Sequence, residues 1–193
     1  KEQKEKYLNP LLDGKIRSCF AMTEPNFAGS NPVNMGTLAT KENDNYIING
    51  HKWFTSSFDG AKFAIVMLIS DPNNENPYKK ASQIIVPTDS EGVKFIRNIS
   101  VMGHPGGGWE SHAEIKFENV KVPLSNVLGG DGEGFSIAQK RLGPGRIHHC
   151  MRLIGAAQRT LEMMCKRVNE REAFGKKLKD YSSIRQDIAK SAS

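Results

Sequence analysis

The spacing of apolar residues along the chain changes character near residue 134. Between residues 18 and 127, short apolar or alternating segments are separated by residues that favour turns, and this pattern predicts β-strands. The continuous apolar run at residues 64–69 is typical of a strand covered on both faces. At residues 112–120 apolar and charged positions alternate, which predicts one face in the core and one in water.

The predicted strands span residues 19–22, 37–42, 46–54, 64–69, 83–86, 93–98 and 112–120. Asn43, Asp44 and Asn45 separate the second from the third, and they suit a hairpin turn because Asn and Asp tolerate left-handed backbone geometry. Strands at such short spacing predict a compact sandwich or barrel.

From Gly134 onward the period becomes helical. Apolar residues at steps of three and four predict an amphipathic helix of about 24 residues; they are Ile147, Met151, Ile154, Leu161, Met164, Cys165 and Val168. A second helix is predicted from Ser182 to Ser193. The charged stretch at residues 1–8 permits a helix that Asn9 and Pro10 are expected to end.

Composition narrows the class of protein. With 193 residues, 38% hydrophobic and 25% charged, the chain fits one or two globular domains. No apolar run approaches the roughly 18 residues of a membrane span, so no span is predicted. Three cysteines without C-x-x-C spacing predict neither a disulfide framework nor a zinc site, and no metal ligand is assigned.

The net charge of +6 is unevenly distributed. Residues 1–139 hold 14 basic and 16 acidic residues, whereas residues 140–193 hold 13 basic and 5 acidic ones. A basic helical segment suits the phosphates of a nucleotide cofactor or of coenzyme A, or a nucleic acid. No aromatic interleaving or nucleic-acid motif accompanies the charge, so no nucleic-acid partner is predicted. A non-catalytic binding module with a basic helix remains an alternative.

Two polar segments carry the candidate chemistry. In the first, Thr23-Glu24-Pro25 ends a strand and a loop follows through Ala28-Gly29-Ser30. Exposed amides, hydroxyl groups and a glycine that permits close approach suit an anionic or heteroaromatic ligand, although an ordinary strand-to-loop corner has the same features. The second segment runs from Asn49 through Gly50-His51-Lys52-Trp53-Phe54-Thr55-Ser56 to Ser57.

Together these segments resemble the flavin-binding signature of the acyl-CoA dehydrogenase family, a T-E-P loop ending in G-S followed by N-G-x-K-x-W-x-T. Phe54 and Ser56 depart from the family's Trp and Thr. A third match comprises residues 141–146, Arg-Leu-Gly-Pro-Gly-Arg, and the segment at residues 169–175. The run from Leu142 to Arg152 is most similar to the branch of family members ten and eleven, which acts on long or branched acyl chains.

The resemblance implies an α+β fragment of a longer chain. Residues 1–17 would be the tail of an N-terminal helical domain. Residues 18–128 would be a middle, flavin-binding domain built as an antiparallel β-barrel or sandwich. Residues 129–193 would begin a C-terminal helical bundle, and the glycine-rich segment at residues 129–134 suits a hinge.

The activity that the resemblance implies is oxidation of an acyl-CoA thioester, in which a carboxylate removes the α proton and the β hydride passes to N5 of FAD. The implied FAD contacts are Phe20, Ala21, Met22, Thr23, Gly29, Ser30, Phe54, Thr55, Ser56, Arg171 and Phe174. The implied substrate contacts are Ser30, Leu142 and Arg146. Arg171 and Phe174 would reach a neighbouring subunit's FAD. The family therefore implies a homodimer or homotetramer, an electron acceptor such as electron-transfer flavoprotein, and a mitochondrial location, with peroxisomal and cytoplasmic locations as alternatives.

The catalytic base is not assigned within this chain. Some relatives place a Glu immediately before the arginine matched by Arg146, but that position here is Gly145, which has no side chain. The base is therefore expected beyond Ser193, and residues 1–193 alone are expected to be inactive. Glu24 is more suited to capping its loop. An acyl-CoA oxidase or a flavin monooxygenase of the same fold is the alternative within flavin chemistry, because a fold alone does not fix the reaction.

Overall fold

Seven strands form one curled sheet in a computed structural model that describes residues 1–29, 31 and 33–193. The strands are β1 (Ser18–Ala21), β2 (Leu38–Glu42), β3 (Asn45–Ser56), β4 (Phe63–Ile69), β5 (Ala81–Pro87), β6 (Val93–Asn98) and β7 (His112–Pro123). The chain divides into two compact units, residues 1–139 and 140–193, and each is described by itself.

The strand order in the first unit is β1-β4-β2-β3-β7-β6, with β5 on the other side of β4. Neighbouring strands along β2, β3, β7 and β6 are antiparallel, as are β4 and β5. This confirms the predicted β domain, and Asn43 turns the β2–β3 hairpin at a φ of 52°. The structure adds parallel pairing of β4 with β1 and, at one residue pair, with β2.

Alternate residues of β1, β3, β4, β5 and β7 form the main core. Its fully buried members include Ile48, Val66, Ile115 and Val120, each with no exposed surface. In β7, Ala113, Ile115 and Phe117 are buried and the residues between them face outward, as their alternation predicts. The run at residues 64–69 is buried almost throughout because both faces of β4 are covered: Ala64, Val66 and Leu68 pack in the main core, and Met67 and Ile69 pack in a second cluster.

Glu114 links three strands on the outer face of this sheet. Its carboxylate accepts a hydrogen bond from Arg97 Nε of β6 at 2.7 Å, and the other oxygen lies 2.9 Å from His51 Nε2 of β3. The Arg97 hydrogen bond, opposed in part by burial, holds the pKa of Glu114 below its ordinary value of 4.5.

Acid is therefore expected to weaken this link. Because the folded pKa of Glu114 lies below the unfolded one, its contribution to stability is fully present above about pH 4.5 and is lost as the pH falls through the folded value. Glu114→Gln is expected to flatten the loss of unfolding free energy between roughly pH 6 and 3, measured by urea denaturation. Glu118→Gln, at an exposed position of β7, is the control. An acid profile of Glu114→Gln that matches wild type would contradict the assignment.

The helical segments are Lys4–Leu8, α1 (Asn9–Leu12), α2 (Gly134–Glu170) and α3 (Ser182–Ala192). The prediction that Asn9 and Pro10 end the first helix is wrong, because Pro10 lies in the first turn of α1, where its missing N–H costs little. The predicted length of the long helix is also wrong, since α2 has 37 residues and contains Pro144. Proline removes one N–H donor, and the helix continues through the hydrogen bonds of the turns on either side.

In the second unit a short hairpin follows α2. Its strands are β8 (Glu172–Ala173) and β9 (Lys176–Lys177), joined by Phe174 and Gly175 at φ values of 51° and 81°. Two left-handed residues in a two-residue loop make the turn whose twist matches the strands. The Tyr181 hydroxyl donates to the Ala173 carbonyl at 2.8 Å, which ties the hairpin to the start of α3.

Within the described part of the chain, no helix is long and apolar enough to cross a membrane. The same residues contain no group of three or more His, Cys, Asp and Glu side chains that could hold a metal ion. The domain boundaries predicted at residues 17/18 and 128/129 stay predictions.

Candidate functional site

The loop between β1 and β2 is hydrogen-bonded to β3 near the C-terminal end of that strand. Thr23 makes two bonds with Trp53: its carbonyl accepts from the Trp53 N–H at 3.1 Å, and its hydroxyl donates to the Trp53 carbonyl at 2.8 Å. The two polar segments that the sequence singles out are therefore in contact, although they are about 30 residues apart.

Gly29 allows the loop to fold back onto this attachment. A Cβ atom at residue 29 would lie 2.9 Å from the Thr23 methyl group, closer than such contacts normally come. Gly36 is similarly confined, since its Cβ would lie 2.4 Å from the Phe27 ring. The glycines thus keep the backbone of the loop close to the side chains of its first half.

A buried ion pair lies beneath the loop. Lys52 of β3 has no exposed surface, and its ammonium donates to Glu24 Oε1 at 2.8 Å and to the Met22 carbonyl at 2.8 Å. The Glu24 carboxylate, 4% exposed, also accepts from the backbone N–H groups of Gly36 and Thr37. The prediction that Glu24 caps its loop is confirmed.

The ion pair shifts the pKa of both partners. Burial lowers the pKa of Lys52 to about 8, and the nearby Glu24 carboxylate offsets part of that effect. Burial also opposes ionisation of Glu24, but the Lys52 charge and hydrogen bonds outweigh it and hold the pKa of Glu24 below its ordinary value. A carboxylate that is ionised and occupied by donors on both oxygens is poorly suited to remove a substrate proton.

A β-bulge at the end of β3 turns Phe54 outward. Lys52 pairs with Ile115 and Thr55 pairs with Ala113, so three steps along β3 face two along β7. Phe54 takes a φ of 48°, a left-handed conformation that is uncommon for an aromatic residue, and its side chain is 42% exposed. Its ring lies edge-on to Trp53, with centroids 5.0 Å apart. The bulge presents a flat apolar ring beside the Thr23 attachment.

Beyond the bulge, Thr55 points inward and Ser56 outward. Thr55 is 1% exposed and its hydroxyl is buried without a hydrogen-bond partner in the described structure. Ser56 lies opposite His112, and its hydroxyl is 2.8 Å from His112 Nδ1. Ser56 thus offers an exposed hydroxyl whose direction a neighbouring ring nitrogen can fix.

The remaining predicted contacts in the first unit differ in accessibility. Phe20 and Met22 are half-buried and pack with Met35 against a cluster that includes Met67. Ala21 has no exposed surface in the described structure, and its predicted flavin contact stays a prediction. Ser30 lies outside the described residues, and its predicted contacts with cofactor and substrate stay predictions.

Four predicted site residues belong to the second unit. Leu142 is 39% exposed and, like the exposed Arg146, lies near the start of this unit in α2. Arg171 is exposed and directly precedes the hairpin, and Phe174 at its tip is 99% exposed. Their roles stay predictions.

Sequence reasoning assigned no role to Lys52 or His112. Lysine is usually exposed, so Lys52, the lysine of N-G-x-K, is not expected to be buried. The only sequence sign of burial is that Lys52 shares the alternate positions of one strand with Ile48 and Gly50. His112 was read only as the first residue of a strand. Its pairing with Ser56 depends on the bulge, because the extra residue sets which position of β3 lies opposite it.

The fold agrees with comparisons to known proteins. Residues 19–120 match the family model described as acyl-CoA dehydrogenase, middle domain, and residues 132–193 match the one described as acyl-CoA dehydrogenase, C-terminal domain. The chain belongs to the acyl-CoA dehydrogenase family, as its motifs indicate.

Within that family the chain is similar to members ten and eleven, which confirms the predicted branch. It is 48% identical over 190 residues to acyl-CoA dehydrogenase family member 11 of Gallus gallus, covering 97% of this chain and 24% of that protein. Its identity to family member 10 of Mus musculus is 49% over 194 residues, covering 98% and 18%.

Among solved structures, butyryl-CoA dehydrogenase from Megasphaera elsdenii superimposes with a TM-score of 0.73 at 32% identity, covering 99% of this chain and 49% of that one. The chain therefore spans a quarter or less of the two relatives and about half of the solved structure.

Proposed function

We propose that the protein containing this chain is a FAD-dependent oxidoreductase that introduces an α,β double bond into an acyl-CoA thioester. The observation that carries the proposal is the junction between the Thr23 loop and the bulged end of β3, in a chain of the acyl-CoA dehydrogenase family. Family membership supports an acyl-CoA oxidoreductase in general, and the junction supports the flavin.

The residues at the junction fit a flavin. An isoalloxazine ring needs a flat apolar neighbour and hydrogen-bond partners at its edge, and Phe54 and Ser56 offer an exposed ring and an exposed hydroxyl side by side. Gly29 lets the loop backbone pack against Thr23 at the junction, where a side chain would not fit. Phe54 in place of Trp retains the flat face, and Ser56 in place of Thr retains the hydroxyl.

When bound, FAD would supply the acceptor for the hydride from the acyl β carbon. Phe20, Met22 and Thr23 would line one edge of the ring, and Ser56, held by His112, would direct its hydroxyl to the other. In the second unit, Leu142 and Arg146 would contact acyl-CoA, and Arg171 would bind the FAD pyrophosphate of a neighbouring subunit. The planar guanidinium of arginine pairs two phosphate oxygens at once.

The proton-abstracting base in this proposal lies outside residues 1–193. Glu24, the carboxylate nearest the junction in sequence, is engaged by Lys52, Gly36 and Thr37. Gly145 has no side chain to accept a proton. The proposal further includes electron-transfer flavoprotein as electron acceptor, a homodimer or homotetramer, and a mitochondrial location.

The full-length protein provides the test. Purified protein is expected to contain FAD, identified by chromatography after denaturation, and to lose its absorbance near roughly 450 nm when acyl-CoA is added without oxygen. Rapid return of the absorbance with hydrogen peroxide on admitting air would favour the oxidase alternative. Protein that neither contains nor binds FAD would refute the proposal and favour a non-catalytic module.

Substitution at the junction tests the site itself. Thr23→Leu and Ser56→Leu are each expected to raise the Kd for FAD about tenfold, equivalent to ~1.4 kcal/mol, because each removes a hydroxyl and adds bulk. Flavin fluorescence titration of the apoprotein measures the Kd. Thr40→Leu, at an exposed position of β2, is the matched control. Variants at residues 23 and 56 that bind FAD as wild type does would show that the junction is not the site.

A further inference from the structure

The ion pair beneath the loop has a geometry that stabilisation of the fold alone does not require. We propose that Lys52 and Glu24 are positioning residues for bound FAD: together they fix both ends of the loop from Met22 to Gly36 relative to the bulged end of β3. This inference rests on the proposed flavin site.

Lys52 fixes the first end of the loop. It precedes Phe54 by two residues on β3, and its ammonium reaches back to the Met22 carbonyl and to Glu24 Oε1, each at 2.8 Å. Its third contact is with Met35 Sδ at 3.8 Å. An ammonium group has three N–H donors, so these contacts use all of them and leave the side chain one arrangement.

Glu24 fixes the second end. Oε1 accepts from Lys52 and from the Thr37 N–H at 2.9 Å, and Oε2 accepts from the Gly36 N–H. The beginning and end of the loop thus meet at one carboxylate, next to the lysine. A shift of either charged group would also move the Met22 carbonyl and the hydrogen bonds between Thr23 and Trp53. These groups lie where the edge of the flavin ring is proposed to bind.

Burial makes this arrangement rigid. Lys52 is fully buried and Glu24 nearly so, and water is not available to replace a lost contact. Buried ion pairs contribute little net stability compared with well-packed apolar residues of similar volume, and some specify one conformation among several. The Lys52–Glu24 pair would hold the adjacent loop in one conformation, which would favour binding of the proposed ligand.

The experiment separates positioning from stability. In the full-length protein, Lys52→Met and Glu24→Leu are combined, which removes both charges and leaves neither partner buried alone. The double variant is expected to fold but to melt below the wild-type temperature, because three backbone groups lose their partners. Its Kd for FAD is expected to rise at least about tenfold, and the visible spectrum and reduction potential of the bound flavin to shift, because the Met22 carbonyl and two backbone N–H groups have lost their partners.

Glu24→Gln is a smaller change for use if the double variant does not fold. The amide oxygen can still accept from Lys52 and Thr37, but the NH2 group cannot accept from Gly36, so one of the two contacts at the far end of the loop is lost. Its Kd for FAD is expected to rise several-fold, with a shifted flavin spectrum. Lys62→Met, an exposed lysine before β4, is the matched control and should bind FAD as wild type does.

Each outcome of these experiments either supports or refutes the positioning role of Lys52 and Glu24. A folded double variant, or Glu24→Gln, that binds FAD with wild-type Kd, spectrum and potential would show that the pair is only structural. Wild-type protein that binds no FAD would refute the proposed function and this inference together. Wild-type binding with impaired variants supports both.

Discussion

Replacing Lys52 alone with methionine is expected to lower the free energy of unfolding by about 3–5 kcal/mol. The substitution leaves the Glu24 carboxylate 4% exposed with its cationic partner gone, and the Met22 carbonyl without the ammonium that it accepts from. An uncompensated buried charge costs far more than the pair itself contributes, because no water replaces the lost partner. Urea denaturation of the full-length protein at neutral pH measures the effect.

Two comparisons make this result interpretable. Lys62→Met removes an exposed lysine and is expected to change stability by less than about 0.5 kcal/mol. Adding Glu24→Leu to Lys52→Met should recover part of the loss, since it removes the stranded charge but leaves the Gly36 and Thr37 N–H groups without an acceptor. A single Lys52→Met variant as stable as wild type would mean that the pair is not buried in the folded protein as described.

Replacing Arg171 with alanine is expected to weaken FAD retention by about 10- to 100-fold, the equivalent of losing a charge-assisted contact of 1.5–3 kcal/mol. In the function proposed above, this arginine would bind the cofactor pyrophosphate of a neighbouring subunit. Its position fits that task, because it is exposed, directly precedes the hairpin, and lies in a unit with 13 basic and 5 acidic residues. Phe174, at the tip of the hairpin, is 99% exposed.

Protein concentration provides the decisive readout for Arg171. If a neighbour supplies the contact, wild-type FAD affinity falls on dilution as the oligomer dissociates, and Arg171→Ala reduces that dependence. Arg185→Ala, an exposed arginine of α3, is the matched control for loss of charge. Analytical ultracentrifugation with flavin detection follows both species. A monomeric wild type that keeps its flavin on dilution would contradict the assignment, and Arg171 would then be a solvated charge near a helix end.

The strands could be predicted because their sequence signals are local. The apolar run at residues 64–69 predicts a strand that is buried on both faces. Asn43 predicts the hairpin turn because it tolerates a left-handed conformation that few residues adopt. Both signals depend on residues that are close together in the sequence, so the sequence alone is enough to detect them. Long-range features, such as the parallel pairing of β1 with β4, leave no such periodic trace.

The candidate site was predictable in its parts but not in its assembly. The motifs identified Thr23 and Phe54, but Lys52 gave no sign of burial because lysine normally faces water. Its burial depends on a partner 28 residues away, Glu24, whose oxygens also hold Gly36 and Thr37. The helix α2 shows the converse: the apolar periodicity predicts about 24 residues, but the helix runs for 37 and continues through Pro144.

The bulge at Phe54 divides β3 into two segments with opposite phase. Upstream of it, even-numbered positions such as Ile48 and Lys52 point into the protein; downstream, the odd-numbered Thr55 does. The extra residue therefore lets Phe54 and Ser56 face outward while Thr55 between them enters the core. Without it, the phase set by Ile48 and Lys52 would turn Phe54 and Ser56 inward. One inserted residue thus exposes two side chains on a strand whose regular alternation would bury them.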